Sequence, residues 1–399
     1  MRVMLFTGKG GVGKTTLAAG TAALAAQAGK RTLVLSTDPA HSLADALGLE
    51  EPAYGQGPIE VAPNLWSLHV DVRDRFALAW GEIQQYLLDV LDSAGVDPME
   101  AEELTVLPGA EEVLALLEVR DRVRSGEWDV VIVDCAPTAE TLRLLALPDA
   151  LRWYMDRIWP TERRVLGLLR PILRKASGVP MPKDRVLDAI ESLHADLSDV
   201  RSILTEETSS VRLVTTPEAV VFAEARRTLT SLSLYGYRVD GVLVNRIYPL
   251  SGADDWRAQW ITAHAVQLAR IESDCEPIRV WRAGYQSAEP VGPQALAELA
   301  GQVYGDADPI AVVDTPDPLT VKRVGDDFEL SIALPLVAKG DVDLAPRLDE
   351  LVVTVGPQRR VLSLPSALRR CNVSGAHFEP GRLKVAFTPD PQQWPREDK

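Results

Sequence analysis

Residues 1–36, MRVMLFTGKGGVGKTTLAAGTAALAAQAGKRTLVLS, set the architecture. Arg2 to Thr7 is a short apolar run that reads as a buried strand, broken by a glycine-rich turn from Gly8 to Gly13. Thr15 to Ala28 is dominated by alanine and leucine and has no proline, which favours helix, and Gly29 stands in its C-terminal cap region. Thr32 to Ser36 is a second apolar strand. Strand, turn, helix and strand in this order make a βαβ unit, the way a parallel sheet with crossover helices begins.

The turn carries its own chemistry. GKGGVGKT, residues 8–15, places Gly8 four residues ahead of Gly13-Lys14-Thr15, the spacing of a phosphate-cradling loop. Phosphates need converging backbone N–H groups, which the stretch Gly8, Gly10, Gly11, Val12, Gly13 entering a helix at Lys14, Thr15 and Thr16 supplies. Lys14 is expected to reach the β- and γ-phosphates and the Thr15 hydroxyl to ligate Mg²⁺. Asp38 follows the second strand, where ligands gather at the carboxyl ends of a parallel sheet. A carboxylate there can accept a hydrogen bond from water held in line with a γ-phosphate. Asp134 ends the run DVVIVD (129–134) and can hold Mg²⁺ directly or through a water.

Outward from this unit, strand-like runs recur at 129–134, 211–216 and 239–244, with helical stretches at 74–92, 110–125, 218–233, 254–273 and 293–303. The segment 150–204 has no strand-like run, and its apolar residues fall at three- and four-residue spacings, so it reads as helices inserted above the sheet. Near 305 the character changes. GDADPIAVVDTPDP reads as a linker over 305–317, after which 327–334, 351–355 and 383–387 alternate apolar and polar residues. Residues 318–389 are therefore expected to form a small β-sandwich, with a tail at 390–399.

With 42 basic against 57 acidic residues the chain has a formal net charge of −15, a field that repels nucleic-acid backbones and excludes general nucleic-acid binding. Its three cysteines, 135, 275 and 371, cannot build a disulfide framework, and none pairs at zinc-site spacing, so no zinc is expected. Cys135 reads as a small buried residue. The N-terminus is neither a signal peptide nor a membrane span, and a cytoplasmic location follows as the expectation.

GKGGVGKTT resembles the deviant Walker A class of ATPases, which includes chromosome-partition ATPases, nitrogenase iron protein and the arsenite-pump ATPases. In that class the early lysine, here Lys9, crosses a homodimer interface to the partner's nucleotide. STDPAHSLADAL (36–47) and CAPTAETLR (135–143) resemble the two switches of the arsenite-pump and tail-anchored-protein-targeting ATPases. The resemblance implies a mostly parallel P-loop α/β sheet with a helical layer, over about 1–304, and ATP with Mg²⁺ as ligands. It makes Asp38 the residue that orients the attacking water, and Asp134 a Mg²⁺ ligand with Asp38 behind it. It gives Asn245, followed by Arg246, and the Pro290-Val291 loop the adenine side; His41 is a hydrogen-bonding switch residue. The region 318–389 resembles the α-crystallin fold, as in a subgroup of the targeting ATPases, where it either binds client or stabilises and solubilises the dimer.

The same resemblance implies a client surface on 74–118 and 150–204. Its first part supplies Trp80, Leu87, Leu88 and Leu91. Its second supplies Trp153, Met155, Ile158 and Trp159, with Leu166 and Leu169 a turn or two further on. The client is a transmembrane helix, another protein or a small hydrophobic molecule, with at most transient membrane or receptor contact. Arsenite or other anion export and a partition or positioning ATPase are the alternatives. Arsenite wants three close thiolates, which isolated cysteines do not offer, and partition ATPases lack the DPAHSL form of the first switch.

Overall fold

The apolar runs of the first three hundred residues assemble into one eight-stranded sheet. The computed structural model describes residues 1–38, 42–49, 57–69, 110–135, 184–251, 254–315, 317–347, 349–379 and 381–393, with a few single positions between 84 and 97. The strands are β1 (Arg2–Gly8), β2 (Thr32–Ser36), β3 (Ile59–Ala62), β4 (Leu65–His69), β5 (Val130–Asp134), β6 (Ser209–Thr215), β7 (Val239–Ile247) and β8 (Arg279–Gly284). Their order across the sheet is β3-β4-β2-β5-β1-β6-β7-β8. Every pairing is parallel except that of β3 with β4.

Alternate side chains of each central strand feed two different cores, because successive Cβ atoms of a strand point to opposite faces. Val3, Leu5, Leu33, Leu35, Val131 and Val133 pack beneath the helices Ala110–Arg124, Asp184–Thr205, Ala219–Tyr235 and Asp255–Cys275. Met4, Phe6, Val34 and Ile132 pack instead against the helices Lys14–Gln27 and Pro293–Tyr304. A strand buried on both faces has no polar side, which is why these runs are continuously apolar.

The expected strands and the expected helices at 110–125, 218–233, 254–273 and 293–303 are present with boundaries moved by a few residues, while the expected helix at 74–92 lies outside the described residues except for single positions. Three further strands, β3, β4 and β8, appear where none was expected. β3 and β4 are four and five residues long and join through a turn with Asn64 at φ 62°. β8 reads RVWRAG, an edge strand with exposed Arg279 and Arg282, so its sequence lacks the apolar run of a central strand. Within the expected insertion, helix Asp184–Thr205 is described. Trp80, Leu87, Trp153, Met155, Ile158, Trp159, Leu166, Leu169 and His41 lie outside the described residues, while Leu88 and Leu91 are helical and half-buried.

At the amino-terminal edge of the sheet lies a buried ionic knot. Asp240 accepts from Arg2 at 2.7 Å and from both Nε and a terminal nitrogen of Arg212 at 3.2 Å. Arg212 also donates to Tyr304 Oη at 2.9 Å and lies 4.7 Å from the Trp281 ring centroid. Two guanidinium groups share one carboxylate, and the aromatic faces take up part of the remaining charge.

The carboxy-terminal region forms the expected sandwich. One sheet is β9 (Leu319–Val324), β10 (Asp327–Ala333), β14 (Cys371–Glu379) and β15 (Arg382–Pro389), in the order β14-β15-β10-β9. The other is β11 (Val342–Arg347), β12 (Glu350–Val355) and β13 (Gln358–Ser363). The alternating residues read from the sequence, Leu330, Ile332, Leu351, Val353, Leu383, Val385 and Phe387 among them, make its core.

The sandwich is docked, not merely tethered. Leu234, in the last turn of helix Ala219–Tyr235, is fully buried in the sandwich core. Arg360 donates to the Leu234 carbonyl, and its guanidinium lies 5.6 Å from the Tyr235 ring centroid. Thr230 Oγ1 donates to the Pro335 carbonyl at 3.2 Å, and Arg238 pairs with Asp317. Among the described residues no helix is long and apolar enough to cross a membrane.

Candidate active site

Parallel register brings the candidate residues to one edge of the sheet. Asp134 at the tip of β5 lies level with Phe6 of β1 and Ser36 of β2, and Gly8 lies level with Val214 of β6. The loop Gly8–Gly13 leaves β1 at that edge and enters helix Lys14–Gln27.

The glycines at its two ends are required sterically. A Cβ on Gly8 would stand 2.2 Å from the Val214 carbonyl oxygen. At Gly13, φ is 93° and a Cβ would stand 2.3 Å from Asn245 Nδ2. Gly10 and Gly11 are exposed, with open space where a side chain would go. The loop backbone can thus approach a phosphate closely.

Lys14 is buried, and its Nζ lies 3.4 Å from the Lys9 carbonyl oxygen, curled over the loop. Thr15 Oγ1 donates to Asp134 Oδ2 at 2.7 Å and lies 3.2 Å from Ser42 Oγ, the first residue of the helix Ser42–Leu47. Thr16 is half-buried in the same first turn. Ser36 Oγ lies 3.5 Å from Asp134 Oδ2 and accepts from the Asp38 backbone N–H at 3.1 Å. The two ends of β2 and β5 and the start of the loop helix therefore meet around one carboxylate.

Asp134 is fully buried, and burial pushes its carboxyl up to about 7, against the opposing pull of the Thr15 hydrogen bond and the Lys14 charge; nearby Asp38 adds to the rise. Its Oδ1 has no hydrogen-bond partner among the described residues. A buried, half-satisfied carboxylate beside a threonine hydroxyl fits a hard divalent cation, which takes one or two protein oxygens and completes its shell with phosphate and water. Among the described residues no group of three or more His, Cys, Asp and Glu could hold a metal ion.

The expected base-side residues lie on the same edge. Asn245 Nδ2 donates to the Val12 carbonyl at 2.9 Å, and Asn245 Oδ1 accepts from the Arg246 N–H at 2.8 Å. The side chain thus braces the phosphate loop from behind, a contact the sequence did not suggest. Arg246 is exposed, with φ 61°. Pro290 and exposed Val291 precede helix Pro293–Tyr304, and the Gly292 N–H donates to the Ala46 carbonyl at 2.9 Å, tying this loop to the helix after Asp38.

Lys9 points away from its own loop, and its Nζ lies 3.4 Å from Glu224 Oε2 in helix Ala219–Tyr235. Sequence reasoning missed Glu224, which sits in the second turn of its helix and in no motif, and it missed Ser36, although that serine ends the strand before Asp38. Cys135 and Cys275 are both buried; burial pushes the Cys135 thiol far up and the Cys275 thiol up to about 12.

Comparison with known proteins matches residues 1–305 to the family described as anion-transporting ATPase, and residues 325–387 to the HSP20-like domain found in ArsA. A Chlorobaculum tepidum protein provisionally named an arsenical pump-driving ATPase is 35% identical over 391 residues, 97% of this chain and 96% of its own. An uncharacterised protein of Streptomyces coelicolor is 36% identical over 406 residues, 99% of this chain and 100% of its own. The ATPase get3 of Aspergillus terreus is 30% identical over 262 residues, 64% of this chain and 76% of its own. The parallel sheet, its phosphate loop and the docked sandwich are thus those of the anion-transporting ATPase family, to which this chain belongs as a P-loop ATPase with a C-terminal HSP20-like domain.

Proposed function

We propose that this ATPase works as a homodimer whose Mg²⁺-dependent cycle closes on ATP and opens after hydrolysis, gating a hydrophobic or protein client, with a membrane-protein helix as the client. The observation that carries the dimer is the direction of Lys9. Lys14 is buried over its own loop, whereas the Lys9 side chain is 42% exposed and turned outward to Glu224. A second lysine in the loop that does not serve its own site is placed to serve a partner's.

The same sheet edge offers apolar surface for that partner. Helix Asp255–Cys275 begins there, and its Trp256 and Trp260 are 59% and 40% exposed with ring centroids 6.1 Å apart. Exposed paired tryptophans are the residue type that anchors interfaces.

In the proposed cycle, the Gly8–Gly13 backbone and Lys14 bind and orient the triphosphate, and Asp38 accepts a hydrogen bond from the attacking water. Thr15 and Asp134 would hold Mg²⁺, which would supply positive charge to offset the charge that develops on the transferred phosphate. Asn245, Arg246, Pro290 and Val291 flank the base. Helix Ser42–Leu47, joined to Thr15 through Ser42 and to the base-side loop through Ala46, is the element that a γ-phosphate contact at Asp38 would move.

The family's anion-export name supports a second reading, an arsenite-type pump subunit. Against it stand the two buried, poorly ionised thiols of Cys135 and Cys275 and the position of Cys371 on the sandwich.

Complementation tests the dimer. Lys9→Met and Asp38→Asn proteins should each be inactive alone. Mixed, they should recover toward about a quarter of wild-type turnover, because half of random dimers are hybrids with one intact site each. No recovery would refute the shared site. For the client, Asp38→Asn protein purified from its own cells with Mg²⁺ and ATP should retain single-span C-terminal membrane proteins and lose them when Trp153 and Ile158 are changed to Asp.

A further inference from the structure

We infer that Glu224 is a positioning residue for Lys9: its carboxylate holds the loop lysine on its own protomer until nucleotide draws it away. The inference rests on the proposed role of Lys9 in the partner's site. Lys9 lies between Gly8 and Gly10 in a loop with open space around Gly10 and Gly11, so little but its own side chain fixes where its ammonium goes. In this protomer that place is Glu224 Oε2, at 3.4 Å.

One ammonium cannot lie on this carboxylate and on the phosphate of a second protomer together. Binding in the closed dimer therefore exchanges a carboxylate partner for a phosphate partner. The ion pair is half-exposed, at 42% and 34% for the two side chains, so the restraint is weak enough for a polyphosphate to overcome and strong enough to bias the resting state. Glu224 sits in the second turn of helix Ala219–Tyr235, and the last turn of that helix carries Leu234 into the sandwich core. The exchange at Lys9 thus acts on the element that holds the sandwich. Released Glu224 leaves an unneutralised carboxylate at the end of the helix nearest the phosphate loop, and the docked sandwich rides at the other end.

The test is sedimentation of the full chain with Mg²⁺ and ATPγS, comparing wild type, Glu224→Gln, Lys9→Gln and the double variant. Glu224→Gln should lower the protein concentration at half-dimerisation by about 4- to 25-fold, since a dimer holds two latches and an ion pair of this exposure is worth about 2- to 5-fold each. The gain should shrink between roughly 0.05 and 0.5 M salt as screening removes the ion pair. In the Lys9→Gln background the Glu224 change should have less than about a twofold effect, as coupled residues in a double-mutant cycle require. Glu224→Asp, with a shorter reach to Lys9, should fall between.

An equal effect of Glu224→Gln in both backgrounds, or a weaker dimer, would overturn the latch while leaving the shared site intact. If Lys9→Gln dimerises as wild type does, the shared site itself fails, and the latch falls with it.

Discussion

Thr15 Oγ1 donates a 2.7 Å hydrogen bond to Asp134 Oδ2, across 119 residues of sequence. The bond joins the first turn of the loop helix to the tip of β5, and it leaves the other carboxylate oxygen of a fully buried aspartate without a partner. Burial holds this carboxyl near 7, where its charge state responds to pH and to a cation.

The first prediction concerns Asp134 and pH. In the fold its carboxyl protonates below about 7, in the unfolded chain only near 4, so between these values the folded state binds more protons. Its contribution therefore favours the fold fully below pH 4 and is lost as pH rises through about 7. Asp134→Asn should raise the melting temperature of the nucleotide-free protein by a few degrees at pH 8 and change it little at pH 5. The same variant should lose Mg²⁺-dependent hydrolysis by about 10²-fold or more. Calorimetry at the two pH values and a phosphate-release assay read both outcomes. A lower melting temperature at pH 8 would contradict the buried charge.

Asn245 is expected to do two things, and substrates can separate them. Its Nδ2 braces the Val12 carbonyl of the phosphate loop, a contact that any nucleoside triphosphate would feel. Asn245→Ala should raise KM for both ATP and GTP by about 5- to 10-fold through the loop, as for a lost hydrogen bond of roughly 1 kcal/mol. A further loss confined to ATP would measure base reading. An unchanged KM for both would remove Asn245 from the site.

Gly13→Ala should abolish nucleotide binding without unfolding the sandwich. Its φ of 93° strains any residue that carries a Cβ, and a methyl group would stand 2.3 Å from Asn245 Nδ2, displacing the side chain that braces Val12. Fluorescent nucleotide titration checks binding, and near-ultraviolet circular dichroism checks the fold.

Docking of the sandwich predicts shared stability. Leu234→Ala removes a fully buried side chain from the sandwich core and should destabilise that region by about 2–5 kcal/mol. Hydrogen exchange should show loss of protection in β10, β12 and β15, with β1 and β5 unaffected. Exchange unaltered in those sandwich strands would show that the helix and sandwich are independent.

The ionic knot should be costly to break from the acidic side. Asp240→Asn leaves the Arg2 and Arg212 charges buried without a carboxylate, at about 3–5 kcal/mol, which denaturant unfolding measures. Arg2→Met keeps one arginine for one aspartate and should cost much less.

Much of this protein is local in its sequence. The apolar run Arg2 to Thr7, the loop Gly8 to Gly13 and the alanine-rich helix after it are read directly, because a phosphate loop is built from consecutive residues, with glycines at the positive-φ positions Gly8, Gly11 and Gly13. Alternation in β10, β12 and β15 is equally legible, since a strand with one buried face writes its period into the chain. Tertiary structure alone decided the rest. It added β3, β4 and β8, whose short or edge positions carry little apolar signal, and it brought Ser36 and Ser42 beside Asp134 and Thr15. It turned Lys9 toward Glu224 and seated the sandwich on Leu234. Each of these is a pairing of residues far apart in the chain, chosen by sheet order and packing, and neither partner's neighbours in sequence record it.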